Sequence, residues 1–334
     1  DDIEARLADP FRLLRNVRHA ARPGHETMRA TLDGSYELLS AAEKALLMRL
    51  SVFQGGWTVE AAEAVCGGDG VEARDVSGLL TLLEAKSLVT ARRGAGPTRY
   101  QFLETLREYA RDRLDDVGDG LTWQARHMVH FLAMAEAAEP ALKGPEQPSW
   151  LRRLAADDEN FKAALRWSRT RERVVLGLRL ASALARYWVV RGRLHDADDE
   201  LRALIAVPGA SEAGIAYAKA MTWIGGIAAV FFRPDDTRTL LEGNLARWRE
   251  LGEPAGEGRA LHHLALDVLG SHDFEGAARL VQRGIALSQL AGDMLLHADL
   301  LVLSAHIIRS LGDEAQADGV IEELYELARV VGEP

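Results

Sequence analysis

Cysteine is almost absent: Cys66 stands alone among 334 residues. One thiol excludes an internal disulfide framework and fits a reducing compartment, so a cytoplasmic location is expected. Aromatic residues are sparse, at 6%. The longest uninterrupted apolar run, residues 223–232, holds ten residues and two glycines, far short of the roughly 20 that cross a bilayer. Positive charge is in deficit: 40 Lys and Arg against 50 Asp and Glu leave −10. That argues against a general nucleic-acid coat but leaves room for a local basic patch. The phrase G-x-x-x-x-G-K-[ST] occurs nowhere, so no glycine-rich loop and lysine can cradle nucleotide phosphates here. No signal peptide opens the chain. Asp1-Asp2-Ile3-Glu4 reads instead as an internal cut through a longer protein.

What is present is a normal globular balance, 48% apolar and 27% charged, rich in Ala, Leu and Arg, which favour helices. The length predicts two or three units rather than one core. The strongest signal is a spacing of forty residues in the last third of the chain. Leu251-Gly252-Glu253, Ala291-Gly292-Asp293 and Val331-Gly332-Glu333 repeat one turn phrase. Gly192-Arg193, Phe232-Arg233, His272-Asp273 and Gly312-Asp313 keep the same beat half a period away. Ala185, Gly225, Ala265 and Ala305 form a column of small residues; Leu201, Leu241, Val281 and Ile321 form one of aliphatics. A repeat split by two turns is the signature of stacked helical hairpins, which bind far more often than they catalyse.

Ahead of the repeats the pattern differs. Residues 1–26 read as a short helix and a basic connector. Ser40-Ala41-Ala42-Glu43 is a capping box. Thr58 is placed to cap a helix over 59–65, broken at Gly67-Gly68. A helix over about 75–86 leads to two expected strands, 87–91 and 99–103, joined through a glycine-rich tip as a hairpin. A helix over 104–114 closes the unit. Helices followed by a β-hairpin describe a winged helix over 27–117. Residues 118–175 are expected to be the helical start of a repeat region, and 176–334 the tetratricopeptide-like repeats. The expected fold is mainly α throughout.

Several phrases carry a resemblance. Residues 26–40 (ETMRATLDGSYELLS), Arg49-Leu50-Ser51-Val52-Phe53-Gln54-Gly55-Gly56-Trp57-Thr58 and Tyr100-Gln101-Phe102-Leu103-Glu104-Thr105-Leu106-Arg107-Glu108-Tyr109-Ala110 resemble bacterial signal-transduction ATPases of the STAND type. That class includes LuxR-type and antibiotic-regulatory transcription factors. Glu159-Asn160-Phe161-Lys162-Ala163-Ala164-Leu165-Arg166-Trp167 is similar to the start of their tetratricopeptide-like region. The resemblance covers about 25–170. It implies a nucleotide-binding module, a winged helix, helical repeats and an effector at one end. By that implication ATP or ADP would sit in a module upstream of this chain, and DNA would be met by a module outside it. No cofactor and no membrane contact are expected in the chain itself.

No catalytic set emerges, and the chain reads as a non-enzyme. His127 and His130 are three apart on a helix but lack a spaced Cys or carboxylate partner. His262 and His263, being adjacent, are expected to point to different faces. Asp157-Asp158-Glu159 reads as a solvated helix cap. Residues 86–113 carry seven basic side chains, Arg92, Arg93 and Arg99 around the wing tip among them. These suit docking against an acidic domain, contact with DNA phosphates or plain solvation. One column on the first helix of each repeat mixes residue types: Ala183, Trp223, His263, Leu303, with Tyr187, Ile227, Asp267, Ile307 one turn on. Tyr187, Trp223, His263 and Asp267 are therefore the candidates for a face receiving a small inducer or a protein, with ordinary inter-repeat packing as the alternative. Three functions stay open: sensor and relay of a transcriptional regulator, a winged helix that grips DNA through its wing, and a free-standing repeat scaffold.

Overall fold

The computed structural model describes residues 25–94, 96–230 and 234–331. The expected connector up to residue 24, and the Phe232-Arg233 and Gly332-Glu333 turn phrases, lie outside the described residues. The chain divides into two compact units, one through His127 and one from Met128.

In the first unit α1 spans His25–Glu37 and α2 Ala41–Leu50, and the capping box between them is formed. Ser40 Oγ accepts from the Glu43 N–H at 3.3 Å, and Glu43 accepts from the Ser40 N–H at 2.7 Å. β1 is Trp57–Thr58, α3 Val59–Cys66, α4 Val76–Ala85, β2 Thr90–Arg92, β3 Arg99–Gln101 and α5 Glu104–Val117. Thr58 Oγ1 caps α3 by accepting from the Ala61 N–H at 3.3 Å. The sheet is antiparallel in the order β1-β3-β2, with Trp57 and Ala91 flanking Tyr100.

The strands differ from expectation at both ends and by one extra member. Ser87 turns left-handed (φ 58°) to close α4, and the Leu88 N–H returns to the Leu83 carbonyl at 2.9 Å, so β2 starts late. Leu103 already occupies the N-cap of α5, so β3 ends early. The two-residue β1 is too short for a periodic signal. It pairs because Gly56, at φ +106°, lets the backbone approach Tyr100; a Cβ there would lie 2.6 Å from that carbonyl oxygen.

Arg49 ties this unit together. Its guanidinium donates to the carbonyls of Cys66 (2.9 Å), Gly68 (2.7 Å) and Asp69 (2.7 Å), and lies 4.1 Å from the ring centre of Trp123. It thus ties down the carbonyls at and just beyond the end of α3. Cys66 is fully buried, and burial pushes its thiol pKa far up, an inert packed residue. His127 is likewise packed, edge-on to Phe53.

The second helical series runs α6 Gly120–Ala141, α7 Gln147–Ala156, α8 Asp158–Ser168, α9 Val174–Val190, α10 Leu194–Ile205, α11 Ile215–Val230, α12 Pro234–Leu251, α13 Pro254–Gly270, α14 Phe274–Ala291, α15 Met294–Ser310 and α16 Glu314–Val331. Four hairpins follow one another from α9, and their first helices α9, α11, α13 and α15 stack in series. The turn beat is a backbone beat. Gly192 (φ 70°), His272 (φ 61°) and Gly312 (φ 92°) end first helices, while Gly252 (φ 69°) and Gly292 (φ 66°) end second helices, all left-handed. The small column meets the aliphatic one: a Cβ on Gly225 would lie 2.4 Å from Leu241 Cδ2, and Ala265 shares a core cluster with Val281.

The acidic run at 157–159, expected to be a solvated cap, is solvated at Glu159 only. Asp157 is 5% exposed and accepts from Asn160 Nδ2 at 3.0 Å. Asp158 accepts from Arg193 Nη1 at 2.8 Å. Glu159 stays exposed, beside Lys162 at 2.8 Å, so only the first two carboxylates of the run are drawn into the packing.

Gly225→Ala is expected to lower stability by about 1–3 kcal/mol through overpacking. Measured by guanidinium unfolding, its cost should shrink when Leu241→Ala is already present. Strict additivity of the two changes would contradict the contact.

Candidate functional site

The first helices of the repeats, with the end of α6, enclose a groove of about 450 Å³, the size of a small-molecule site. Glu139 comes from the end of α6 and Lys143 from the turn after it, Arg186 from α9, Lys219 and Trp223 from α11, Trp248 from α12, Gly256 and Arg259 from α13, and Asp293 and Leu295 from the start of α15. Its floor is rigid. Thr222 Oγ1 accepts from Trp248 Nε1 and Asn244 Nδ2, both at 2.9 Å, and donates to the Ala218 carbonyl at 3.0 Å. Gly256 lets α13 approach Trp248, where a Cβ would lie 2.4 Å from the indole. Asn244 Oδ1 has no hydrogen-bond partner among the described residues.

The walls are charged. Lys219 Nζ lies 2.6 Å from Glu139 Oε2. Arg259 reaches Asp293 at 3.1 Å and Asp299 at 3.7 Å, and Lys143 meets the same Asp299 at 3.6 Å. Asp293 is further committed as the cap of α15, its Oδ1 accepting from the Leu296 N–H at 2.9 Å. The Lys143 side chain is only 14% exposed. Burial first, then the neighbouring Arg259, pull its ammonium below the ordinary lysine pKa, against the opposing pull of Asp299.

Of the four residues proposed for a receiving face, the structure brings two together. Trp223 lines the groove, half-buried, with its ring centre 6.3 Å from that of His263. His263 packs over Gly226, its Nδ1 buried without a hydrogen-bond partner among the described residues. Tyr187 is 2% exposed and belongs to the core, its phenol near Asp158 and Arg193. Asp267 is spent on Arg238, 3.2 Å away. The mixed column is therefore not one continuous face. His262 and His263, expected to diverge, have ring centres 5.3 Å apart.

Lys143, Arg186, Lys219 and Arg259 escaped the sequence reading. A signal existed: Arg179, Lys219, Arg259 and Asp299 keep the same forty-residue beat, one turn before the mixed column. Lys143 and Arg186 carry no such mark. A Ser288–His297–Glu323 array also went unnoticed, with Ser288 Oγ 3.0 Å from Nδ1 and Glu323 3.5 Å from Nε2. Ser288 is 1% exposed and donates to the Ile285 carbonyl at 2.8 Å, so it offers no accessible nucleophile. Among the described residues no three His, Cys, Asp or Glu are grouped to hold a metal ion.

In the first unit the wing cations are differently employed. Arg93 forms a fork with Glu84 at 2.8 and 2.7 Å, and Arg99 Nη2 donates to the Gly56 carbonyl at 3.2 Å. Arg92 is exposed at the end of β2. α4, the helix after the turn, shows Ser77, Gly78, Thr81, Leu82 and Ala85 to solvent. Leu82 is 50% exposed. Its ten residues include no Arg, Lys, Asn or Gln, the side chains that read base edges.

Residues 39–115 match the model of a winged helix-turn-helix domain. A Mycobacterium tuberculosis (H37Rv) protein provisionally named an HTH-type transcriptional regulator is 31% identical over 342 residues, covering 99% of this chain and 38% of its own length. Its Mycobacterium bovis counterpart shows the same figures. An uncharacterised M. tuberculosis protein is 36% identical over 132 residues, covering 39% of this chain and 33% of that protein. The chain thus spans 38% of the length of the curated regulators it matches. Among solved structures, a Signal Transduction ATPase with Numerous Domains protein with a tetratricopeptide repeat sensor, from Pyrococcus horikoshii, aligns over 88% of this chain and 51% of that chain. Its TM-score is 0.37 at 17% identity. Among the described residues no helix is long and apolar enough to cross a membrane.

The paired histidines give the chain a pH response. Burial depresses the pKa of both His262 and His263, and Arg259 and Lys143 depress them further. Above their unfolded value of about 6.5 both states are neutral and nothing is gained or lost. Below it the unfolded chain takes up protons that the folded chain refuses, so stability falls, by at most about 1.4 kcal/mol per histidine per pH unit. The urea midpoint should drop between pH 7.5 and 5.5, with a shallower slope in His263→Asn. A midpoint indifferent to pH would refute the assignment.

Proposed function

We propose that this chain is the sensor and relay portion of a bacterial transcriptional regulator of the signal-transduction-ATPase type. The repeats receive an inducer in the groove. The winged helix passes that event to a nucleotide-binding module upstream by docking on it, and a module outside this chain meets DNA. ATP or ADP belongs to the upstream module, and the whole works in the cytoplasm without chemistry by this chain. A ligand shifts such a switch only by its differential affinity for the two states.

The observation that carries the relay reading is the exposed face of α4. A helix that reads DNA presents bidentate donors and acceptors into the major groove. α4 presents glycine, alanine, two hydroxyls and a half-exposed Leu82. Such a face suits close apolar contact with protein. Two of the three wing arginines are already engaged within the unit, which weakens the case for a grip on phosphate. The names of the mycobacterial relatives agree with a regulator, and the groove across successive repeats agrees with a receiving arm.

In fluorescence anisotropy with a pool of DNA duplexes at moderate salt, the chain should bind no more tightly than the non-specific range of about 10⁻⁴–10⁻⁶ M. Arg92, Arg93 and Arg99 changed together to Ala should alter this little. Sub-micromolar, salt-steep binding lost in that triple variant would favour a DNA-gripping winged helix instead. Hydrogen exchange over α4 should be slower in the full-length protein than in this chain alone. Equal exchange in the two would sink docking.

A further inference from the structure

Every lysine of the chain but one is tied off. They are Lys44, Lys86, Lys143, Lys162 and Lys219. Lys44 donates to Glu37 at 3.0 Å, Lys86 to Glu43 at 2.5 Å, Lys162 to Glu159 at 2.8 Å and Lys219 to Glu139 at 2.6 Å. Lys143 makes no such bond among the described residues. Asp299 stands 3.6 Å off, beyond hydrogen-bond distance, and is shared with Arg259 at 3.7 Å. The Lys143 side chain is also the least exposed of the five, so water cannot fully solvate its ammonium. An ammonium with its donors unmade in a half-enclosed site gives way to the neutral amine. The direction of its pKa, pulled down first by burial and then by Arg259, agrees. A lysine amine desolvated beside cations is a nucleophile.

Lys143 lines the groove, whose volume of about 450 Å³ admits a small organic molecule. Charge selects no ligand there: Lys143, Arg186, Lys219 and Arg259 face as many carboxylates, Glu139, Glu253, Asp293 and Asp299. A reactive amine does select. Trp223, half-buried and backed by His263, adds a flat apolar wall to the same groove. We propose that the groove captures a small flat aldehyde, its carbonyl carbon bound by Lys143 Nζ as a reversible imine and its apolar body laid against Trp223. Nζ bonds to the carbonyl carbon as the C=O π bond opens, and the nitrogen lone pair then closes C=N as the oxygen leaves in water. The proton shed by the ammonium returns on the departing hydroxyl, so ammonium and aldehyde give iminium and water with nothing else consumed. Water reverses the step. The ligand is released unchanged and nothing is turned over. This rests on the repeats being a receiving arm, and names the chemistry of the molecule received.

The test treats the intact 334-residue chain with 2-naphthaldehyde, traps the imine with cyanoborohydride and counts the label at each lysine by peptide mass spectrometry. Lys143 should be trapped roughly tenfold faster than any of the other four lysines. Its rate should saturate with aldehyde and fall when 2-naphthylmethanol, of the same shape but without a carbonyl, is added. Exposure alone predicts the opposite order, with Lys143 last. Trp223→Ala should slow trapping at Lys143 and leave the other lysines unchanged. Lys143→Arg, which keeps the charge and cannot form an imine, should abolish the fast trapping while calorimetry still finds the alcohol bound. The distribution of label on the unmutated chain decides the matter even where a variant melts early. Trapping that follows exposure overturns the capture, as does fast trapping that the alcohol leaves untouched. In either case binding of the alcohol keeps the groove a receiving site. Neither fast trapping nor binding of the alcohol overturns the capture and removes the groove from the receiving reading, with α4 docking decided separately by hydrogen exchange.

Discussion

The repeat unit depends on how near the two helices of a hairpin can come. Gly225 sits against Leu241 so closely that a methyl group would intrude on the leucine. Ala185, Ala265 and Ala305 are buried on the same column in the other hairpins. Small residues there let each pair close, and closed pairs stack with their first helices side by side. Only in such a stack do residues one period apart become neighbours across an open face. The groove is a by-product of that spacing. Arg259 sits where Lys219 sits one repeat earlier, and the carboxylate of Asp299 one repeat later.

The second helical series was legible because its signals are local and repeated. Left-handed turns demand glycine or a tolerant residue, and they recur as Gly192, His272 and Gly312 on one beat and Gly252 and Gly292 on the other. The small column, like the capping box at Ser40 in the first unit, follows from backbone chemistry that a sequence shows directly. The third strand was not legible: two residues have no period, and Trp57–Thr58 pairs only because a distant hairpin arrives beside Gly56. Asp157 was misjudged for a related reason, since burial by neighbouring helices is a tertiary fact.

The candidate site was half legible. Trp223 stood out by breaking its column, and it does line the groove. Tyr187 stood out equally and lies in the core, because a mixed column marks a change of surroundings without saying whether the new surroundings are solvent or protein. Lys143 was missed because it lies ahead of the forty-residue period, and Arg186 because the residues one period on, Gly226, Leu266 and His306, form no charged column. In the winged helix the basic count misled in another way. Arg93 is consumed by Glu84, and Arg99 donates to the Gly56 carbonyl. A tally of positive residues says little about a surface until their partners are known.

The groove draws its walls from Glu139 at the end of α6 to Leu295 at the start of α15. Such a site has no fixed width of its own. Its width is the pitch at which the hairpins coil, summed over the helices between. Under the proposed receiving role, a molecule wedged there would act on the whole coil as a spacer acts on a spring, setting curvature rather than moving any one loop. The signal leaving the array would then be a bend, distributed over many small rotations and felt most at its ends.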